Sequence, residues 1–245
     1  MCTVSWRSAD AGGYELFFNR DELRSRKPAL PPREIERDGV PVLTPVDTDA
    51  GGSWLTANAF GVTVALLNRY GIKTPPRPDS PDRRSRGQLV LDLSSGSNQS
   101  EVLDRLRRFE LAAYRPFTLL VLGPGVAPAM TAWDGHLLDP VEVPEAPLVS
   151  SSHDTDEATR FRLALWRSTV DINDSATLEA FHRSYSPGHG AASPCMNRHD
   201  ARTVSSTHLS VTERRVAMRY ADGPPCDTAY GEAIELARLH AATAA

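Results

Sequence analysis

Between Cys2 and Asn19 the chain alternates, turns and alternates back, a pattern that admits little besides a β-hairpin. Cys2, Val4 and Trp6 interleave with Thr3, Ser5 and Arg7 at the period of a half-buried strand; Ala9-Asp10-Ala11-Gly12-Gly13 is a turn cluster, and Tyr14 to Asn19 reads as the returning strand. The hairpin carries Phe17-Phe18-Asn19-Arg20-Asp21 back beside Cys2, placing a cation and the carboxylates of Asp21 and Glu22 near the start of the chain. Cys2 adds a chemical constraint. Its small side chain permits aminopeptidase removal of Met1, which leaves a thiol and a free α-amine on one residue. An amine of pKa about 7.7–8.0 accepts a thiol proton, so one residue supplies nucleophile and base. The plainer reading makes Cys2 a small buried hydrophobe and Arg20-Asp21-Glu22 a solvated turn.

Downstream, Lys27 to Pro32 and Pro41 to Pro45 are proline-broken and read as surface loop. Ser53 to Ala57 and Val62 to Leu67 flank Asn58-Ala59-Phe60-Gly61, a second hairpin. The prolines from Thr74 to Arg86 exclude regular structure. Helices are expected over Gly87 to Leu93 and from a capping box at Asn98 to Glu101. Strands follow at Phe117 to Leu122, Ala129 to Trp133, His136 to Leu138 and Leu148 to Ser151. A helix capped by Asp154 or Thr155 turns Ala158, Phe161 and Leu165 inward, and one capped by Ser175 turns in Leu178 and Phe181. Thr203 to Val211 and Arg215 to Tyr220 form a late hairpin, and Tyr230 to His240 reads as a final helix. This order suits an α+β fold: a two-sheet antiparallel core with helices on its outer faces, or an ordinary α+β domain.

At 245 residues the chain suits one domain spanning 1–245. A net charge of −4 argues against a nucleic-acid partner, which calls for a basic excess. Cysteines 2, 195 and 226 are odd in number and widely spaced, and no secretory leader precedes them, so a reducing cytoplasm is expected. The longest apolar run, Phe117 to Leu122, is of strand length and too short for a membrane helix. No Gly-rich phosphate loop or Gly-x-Ser-x-Gly elbow occurs. Cys195, His199 and Cys226 lack a closely spaced second ligand pair, which makes zinc a weak reading, and no metal or other cofactor is expected.

Four segments carry a resemblance. Met1-Cys2-Thr3, Asn19-Arg20-Asp21-Glu22, Gly51-Gly52-Ser53-Trp54-Leu55 and Leu66-Leu67-Asn68 stand in the order found in the NRDE family, the transport and Golgi organisation 2-like proteins, with a weaker match at Thr203 to Thr207. That family resembles the N-terminal-nucleophile (Ntn) hydrolases, whose fold is a four-layer αββα sandwich of antiparallel sheets, and above all their cysteine branch of penicillin V acylases and bile salt hydrolases. The resemblance implies an amidohydrolase acting on a linear C–N bond of a small-molecule amide. It makes Cys2 the nucleophile, Asp21 the acceptor near its amine, Arg20 the neighbouring cation and Asn68 the oxyanion donor. Arg20 departs from the acylase pattern, where the arginine stands a few residues ahead of the aspartate. Adjacent residues on a strand face opposite ways, so Asn19 shares the face of Asp21 and becomes a substrate-binding candidate. The family's Ser-Asn pair is replaced by Ser150-Ser151-Ser152-His153, which makes Ser151, Ser152 and His153 further binding candidates, with a helix cap as the plainer explanation.

Two other classes compete. Relatives of the family are implicated in haem trafficking, and a haem binder needs an axial ligand, for which His153 and His208 are the candidates. A class II glutamine amidotransferase domain also uses an N-terminal cysteine, but its Asn-Gly motif is missing.

Overall fold

The computed structural model describes residues 2–72, 83–143, 146–152 and 155–240. Its first strands are the expected hairpin: β1 (Cys2–Ser8) and β2 (Tyr14–Leu23) pair antiparallel with Cys2 opposite Arg20 and Ser8 opposite Tyr14. Around them a sheet of six strands is built in the order β10-β1-β2-β11-β12-β13, where β10 is Leu148–Ser150, β11 Ala201–Val211, β12 Arg215–Ala221 and β13 Ile234–Ala237. The second sheet runs in chain order: β3 (Leu30–Arg37), β4 (Val40–Val46), β5 (Leu55–Asn58), β6 (Thr63–Asn68), β7 (Phe117–Leu122), β8 (Ala129–Trp133) and β9 (Leu138–Val141). Each strand pairing in both sheets is antiparallel.

The sheets meet face to face. Val4, Leu16 and Phe18 from the first interlock with Leu43, Leu55, Leu67 and Leu120 from the second, all almost free of solvent contact. Burying each such side chain contributes roughly 1.5–3 kcal/mol, so this layer is what holds the two hairpins in register. On the outer face of the second sheet, α1 (Arg86–Leu93) and α2 (Gln99–Leu106) cover β6 and β7 through Leu89, Val90, Leu93, Val102 and Leu106. On the outer face of the first, α3 (Thr155–Thr169) packs on β10 and α4 (Ser175–Arg183) on β2. The layers are therefore helix, sheet, sheet, helix.

Two glycines decide where α1 begins. A Cβ on Gly52 would lie 2.4 Å from the carbonyl carbon of Gly87, and one on Gly87 would lie 2.9 Å from the Ser53 nitrogen. The absence of both side chains lets Ser53 N–H donate to Gly87 C=O at 3.0 Å, pinning the first turn of α1 to the segment ahead of β5. At α2, Asn98 caps the Glu101 N–H as expected, but the Glu101 carboxylate reaches back one residue further, to Ser97 N–H at 2.8 Å.

Five expectations are corrected. The proline-broken stretch at 28–45 is not loop but strands β3 and β4. β3 is an edge strand, and its register shifts between Leu30 and Arg33, so Pro31 and Pro32 sit where no ladder donor is needed; β4 pairs with β5 only at Val42 and Leu43, between its own prolines. The stretch from Tyr230 to His240 is not helical: Ile234–Ala237 pairs with β12 as an edge strand and buries Leu236 against the inter-sheet core, tertiary pairing outweighing local helix preference. The inward stripe of α3 is Ala158, Arg162 and Trp166, whereas Phe161 is 38% exposed, because a buried arginine occupies the position the apolar pattern assigned elsewhere. The strand expected at His136 to Leu138 lies slightly later, at Leu138–Val141, and α4 is capped by Asp174 rather than Ser175. Asp154 and most of the proline segment, 73–82, lie outside the described residues.

Candidate active site

Strand alternation divides the Asn19-Arg20-Asp21-Glu22 tetrapeptide between two faces. Cys2 pairs with Arg20 on one side and Ser150 on the other, so the Cys2 and Arg20 side chains share the inner face. Both line a cavity of about 420 Å³ at the end of the inter-sheet core, together with Glu22 and Asn68. Asn68 comes from the facing sheet, at the end of β6. Its backbone carbonyl accepts the Ser150 hydroxyl, which stitches the two sheets together next to Cys2. Its side-chain amide donates to the Tyr70 hydroxyl at 3.0 Å, leaving the same Nδ2 a short rotation from the cavity.

Arg20 is 4% exposed and fully engaged: Glu22 and Asp47 each lie 3.4 Å from Nη2, and the guanidinium stacks 4.4 Å over the ring of Trp54. This contact explains the Gly51-Gly52-Ser53-Trp54 segment, which brings an aromatic wall to the arginine beside Cys2. Asp21 and Asn19 point the other way, into the layer under α3 and α4. Asp21, 1% exposed, accepts from Thr203 Oγ1 at 2.6 Å and faces Arg162 Nη2 at 3.6 Å. Arg162 is fully buried and donates also to Thr3 Oγ1 and to the Ala191 carbonyl at 2.9 Å. A charge that deep is tolerated only with such partners. Burial lowers the Arg162 pKa, and the Asp21 carboxylate opposes that fall.

Burial raises the Cys2 thiol pKa, and the Asp21 charge adds to the rise while the Asp21 backbone N–H works against it. A thiol in this position needs a base. Hydrogen bonds from Asn19 Nδ2 to the carbonyls of His182 (2.8 Å) and Pro194 (2.9 Å), and from Ser206 to Asn19 Oδ1, occupy the whole Asn19 amide.

Of the sequence candidates, the fold therefore gathers Cys2, Arg20 and Asn68 on one cavity and puts Asp21 directly behind Cys2. Asn19 is fully buried away from the cavity, which corrects its assignment to substrate contact. Ser151 is fully buried, with its carbonyl accepting Thr155 Oγ1, and Ser152 is exposed; neither lines the cavity. Ser150, one residue earlier, is the serine placed beside Cys2. His153 lies outside the described residues. His208 is stacked on Phe17 at 4.2 Å, with Glu15 3.5 Å from its Nε2. Among the described residues no three His, Cys, Asp or Glu side chains gather as a metal site. Cys195 and Cys226 are free thiols with Sγ atoms 2.7 Å apart.

Sequence reading missed Arg162, Trp54 and Arg86. Trp54 stood in a segment that carries the family resemblance but was given no role, and Arg162 left a trace as a charged residue in step with Ala158 and Trp166 along one helical face.

The half of the chain that carries Cys2, Arg20, Trp54 and Asn68 matches a family model: transport and Golgi organisation 2, over residues 1–131. The chain belongs to that family. No curated protein matches this transport and Golgi organisation 2 chain by sequence. Solved structures do match it in fold. The Caenorhabditis elegans ortholog of N-acylethanolamine-hydrolyzing acid amidase aligns with a TM-score of 0.60 over 85% of this chain and 92% of that one, at 13% identity. The C2A variant of the Clostridium perfringens conjugated bile acid hydrolase aligns at 0.58 over 95% and 92%, with 11% identity. Penicillin V acylase from Agrobacterium tumefaciens aligns at 0.51 over 94% and 86%, also with 11% identity. These neighbours have the Ntn-hydrolase fold, and the layered architecture described above is the same one.

Proposed function

We propose that the protein is an N-terminal-cysteine amidohydrolase that cleaves a linear amide without a cofactor. The observation that carries this reading is the convergence of the Cys2 thiol and the Asn68 amide, from two different sheets, on one cavity, with the Asp21 carboxylate held behind Cys2. The neighbours' names, an acid amidase, a bile acid hydrolase and a penicillin acylase, support the same class of bond.

Once Met1 is removed, the Cys2 α-amine takes the thiol proton, which a raised thiol pKa makes necessary. Sγ attacks the amide carbonyl. Asn68 Nδ2, turned from Tyr70, donates to the oxyanion; such a donor is worth roughly 2.7–4 kcal/mol in the transition state. The ammonium of Cys2 returns its proton to the leaving amine as the C–N bond breaks, leaving a thioester. Water, deprotonated by the same amine, then releases the acid and restores the thiol. Asp21 orients the ammonium, and Arg162 and Thr203 fix Asp21.

The test is intact mass followed by labelling with a β-lactam or other electrophilic amide. Loss of Met1 and a single adduct on Cys2, both abolished when one uncleavable residue is added ahead of Cys2, is the expected result. Equal hydrolysis by the extended protein removes the amine from the mechanism.

A further inference from the structure

The chain carries a net charge of −4, yet its reactive cavity is lined by six arginines against two carboxylates, Glu22 and Asp47. The close ion pairs of those two acids are with Arg20 and Arg26, and Glu22 reaches Arg86 only through its longer-range field. Asp47 Oδ2 lies 2.5 Å from Arg26 and 3.4 Å from Arg20, while Glu22 lies 3.4 Å from Arg20 and 3.7 Å from Arg26. The opposite wall is residues 83–87 with Arg115. There Arg86 donates to the Pro116 carbonyl at 2.8 Å and forms no ion pair among the described residues. Arg84 is exposed, and its side chain makes no hydrogen bond or ion pair among them. The first turn of α1 belongs to the same wall through Ser85, Arg86 and Gly87, held there by the Gly52–Gly87 contact, with its Gly87 N–H capped by Ser85 Oγ at 3.2 Å.

Arginine wastes stability in such a place unless something answers its charge. Burial pulls the Arg86 pKa down; Tyr70 opposes the fall, and the like charge of Arg115 adds to it. A guanidinium fork is also the donor set that grips carboxylate, sulfonate or phosphate oxygens in pairs. A cavity of about 420 Å³ is of small-molecule size, and a chain of net negative charge excludes a long polyanion.

We propose that the substrate amide carries an anionic group, a carboxylate, sulfonate or phosphate, which the cavity receives at Arg84 and Arg86, with the scissile carbonyl facing Cys2. Cys2 and Asn68 act on the bond, and the arginine wall selects which amides enter. The inference rests on the hydrolase reading for the word substrate, but its recognition chemistry is testable without turnover.

Two alkylating probes of nearly equal size serve, anionic iodoacetate and neutral iodoacetamide, with the modified cysteine mapped by peptide mass in the full-length protein. The iodoacetate-to-iodoacetamide rate ratio at Cys2 is expected to exceed that of N-acetylcysteine by roughly tenfold or more, and to fall as salt is added. Arg84→Gln combined with Arg86→Gln should return the ratio to the free-thiol value, the ratio cancelling any change in thiolate fraction that both probes share. Arg84→Gln alone, at an exposed side chain, guards against a folding defect. A thermal-shift titration with inorganic phosphate reads the same wall without the thiol: the wild type is stabilised and Arg84→Gln much less so. A free-thiol ratio at Cys2, or a phosphate response unchanged by the variants, overturns the proposal. Hydrolysis of neutral and anionic amides at equal rates overturns it while leaving the hydrolase reading intact; anion preference with no hydrolysis of any amide does the reverse.

Discussion

Replacing Arg162 by methionine keeps most of the side chain's volume and removes only its charge and its donors. In the native protein that guanidinium is fully buried, 3.6 Å from an equally buried Asp21 carboxylate, and it also serves Thr3 Oγ1 and the Ala191 carbonyl. Removing one partner of a buried ion pair costs about 3–5 kcal/mol, because the other charge stays behind without its counter-ion. Two acceptors losing a donor add to this, though not additively, since relaxation around one relieves the others. A loss of about 4 kcal/mol is the central expectation. For a chain of this size each kcal/mol moves Tm by roughly 2–4 °C, so unfolding followed by circular dichroism should drop by about 8–16 °C. Asp21→Asn in the Arg162→Met background removes the stranded charge while keeping an acceptor for Thr203, and it should restore about half of the loss. Cys2 labelling ought to slow in the single variant even well below its melting point, since Asp21 no longer has a fixed place behind Cys2. A Tm drop under about 3 °C, or a double variant no better than the single one, refutes the idea that this pair is a desolvated anchor.

Asn68→Ala is expected to lower amide turnover by roughly 10²–10³ while leaving Tm close to wild type, because the side chain sits half-buried at a strand end; loss of fold without selective loss of turnover makes it a turn cap instead. His182 is fully buried with Nε2 2.8 Å from Ser5 Oγ, and burial brings its pKa down to about 3 from an ordinary 6.5. The unfolded chain therefore takes up a proton that the folded one refuses, so the stability gained at neutral pH is lost as pH falls from 6.5 toward 3; the Tm-against-pH slope in that window should flatten in His182→Gln, and an identical slope removes His182 as its source. Gly52→Ala drives a Cβ to 2.4 Å from the backbone of Gly87, and overpacking of this kind costs about 1–3 kcal/mol; it should also displace the first turn of α1 and weaken phosphate stabilisation, and a neutral outcome in both assays would show that the contact is slack.

Local pattern carried much of the fold. Phe117–Leu122 and Ala129–Trp133 read from sequence to the residue, because continuous apolar runs between turn residues leave no other way to hide them. The hairpin of β1 and β2 was legible for the opposite reason: its alternation fixes which residues face together, and Cys2 does meet Arg20. What failed was everything decided by neighbours distant in sequence. Prolines at 31, 32, 41 and 45 say loop until an edge strand and an interrupted ladder make room for them. Ile234–Ala237 became a strand because β12 offered it an edge. In the site, Cys2, Arg20 and Asn68 were visible as a set through their motif context. Asn19 was misplaced because sharing a face with Asp21 means sharing the helix-covered face, away from the cavity. The arginine wall had no local signature, since Arg86 and Arg115 lie far apart in sequence and meet where Arg86 donates to the Pro116 carbonyl.

The split of residues 19–22 across one strand makes β2 a lever with an arm in each compartment. Asn19 and Asp21 are gripped on the helix-covered face through His182, Pro194, Thr203 and Arg162, while Arg20 and Glu22 stand in the cavity. Any rotation of that strand moves both arms at once and in opposite senses. Changes in α3, which never touches the cavity, will therefore surface in a screen for altered substrate preference as if they were pocket residues, whereas a one-residue deletion between Gly13 and Asn19 would exchange the two arms, burying Arg20 under the helices and delivering a carboxylate to the thiol.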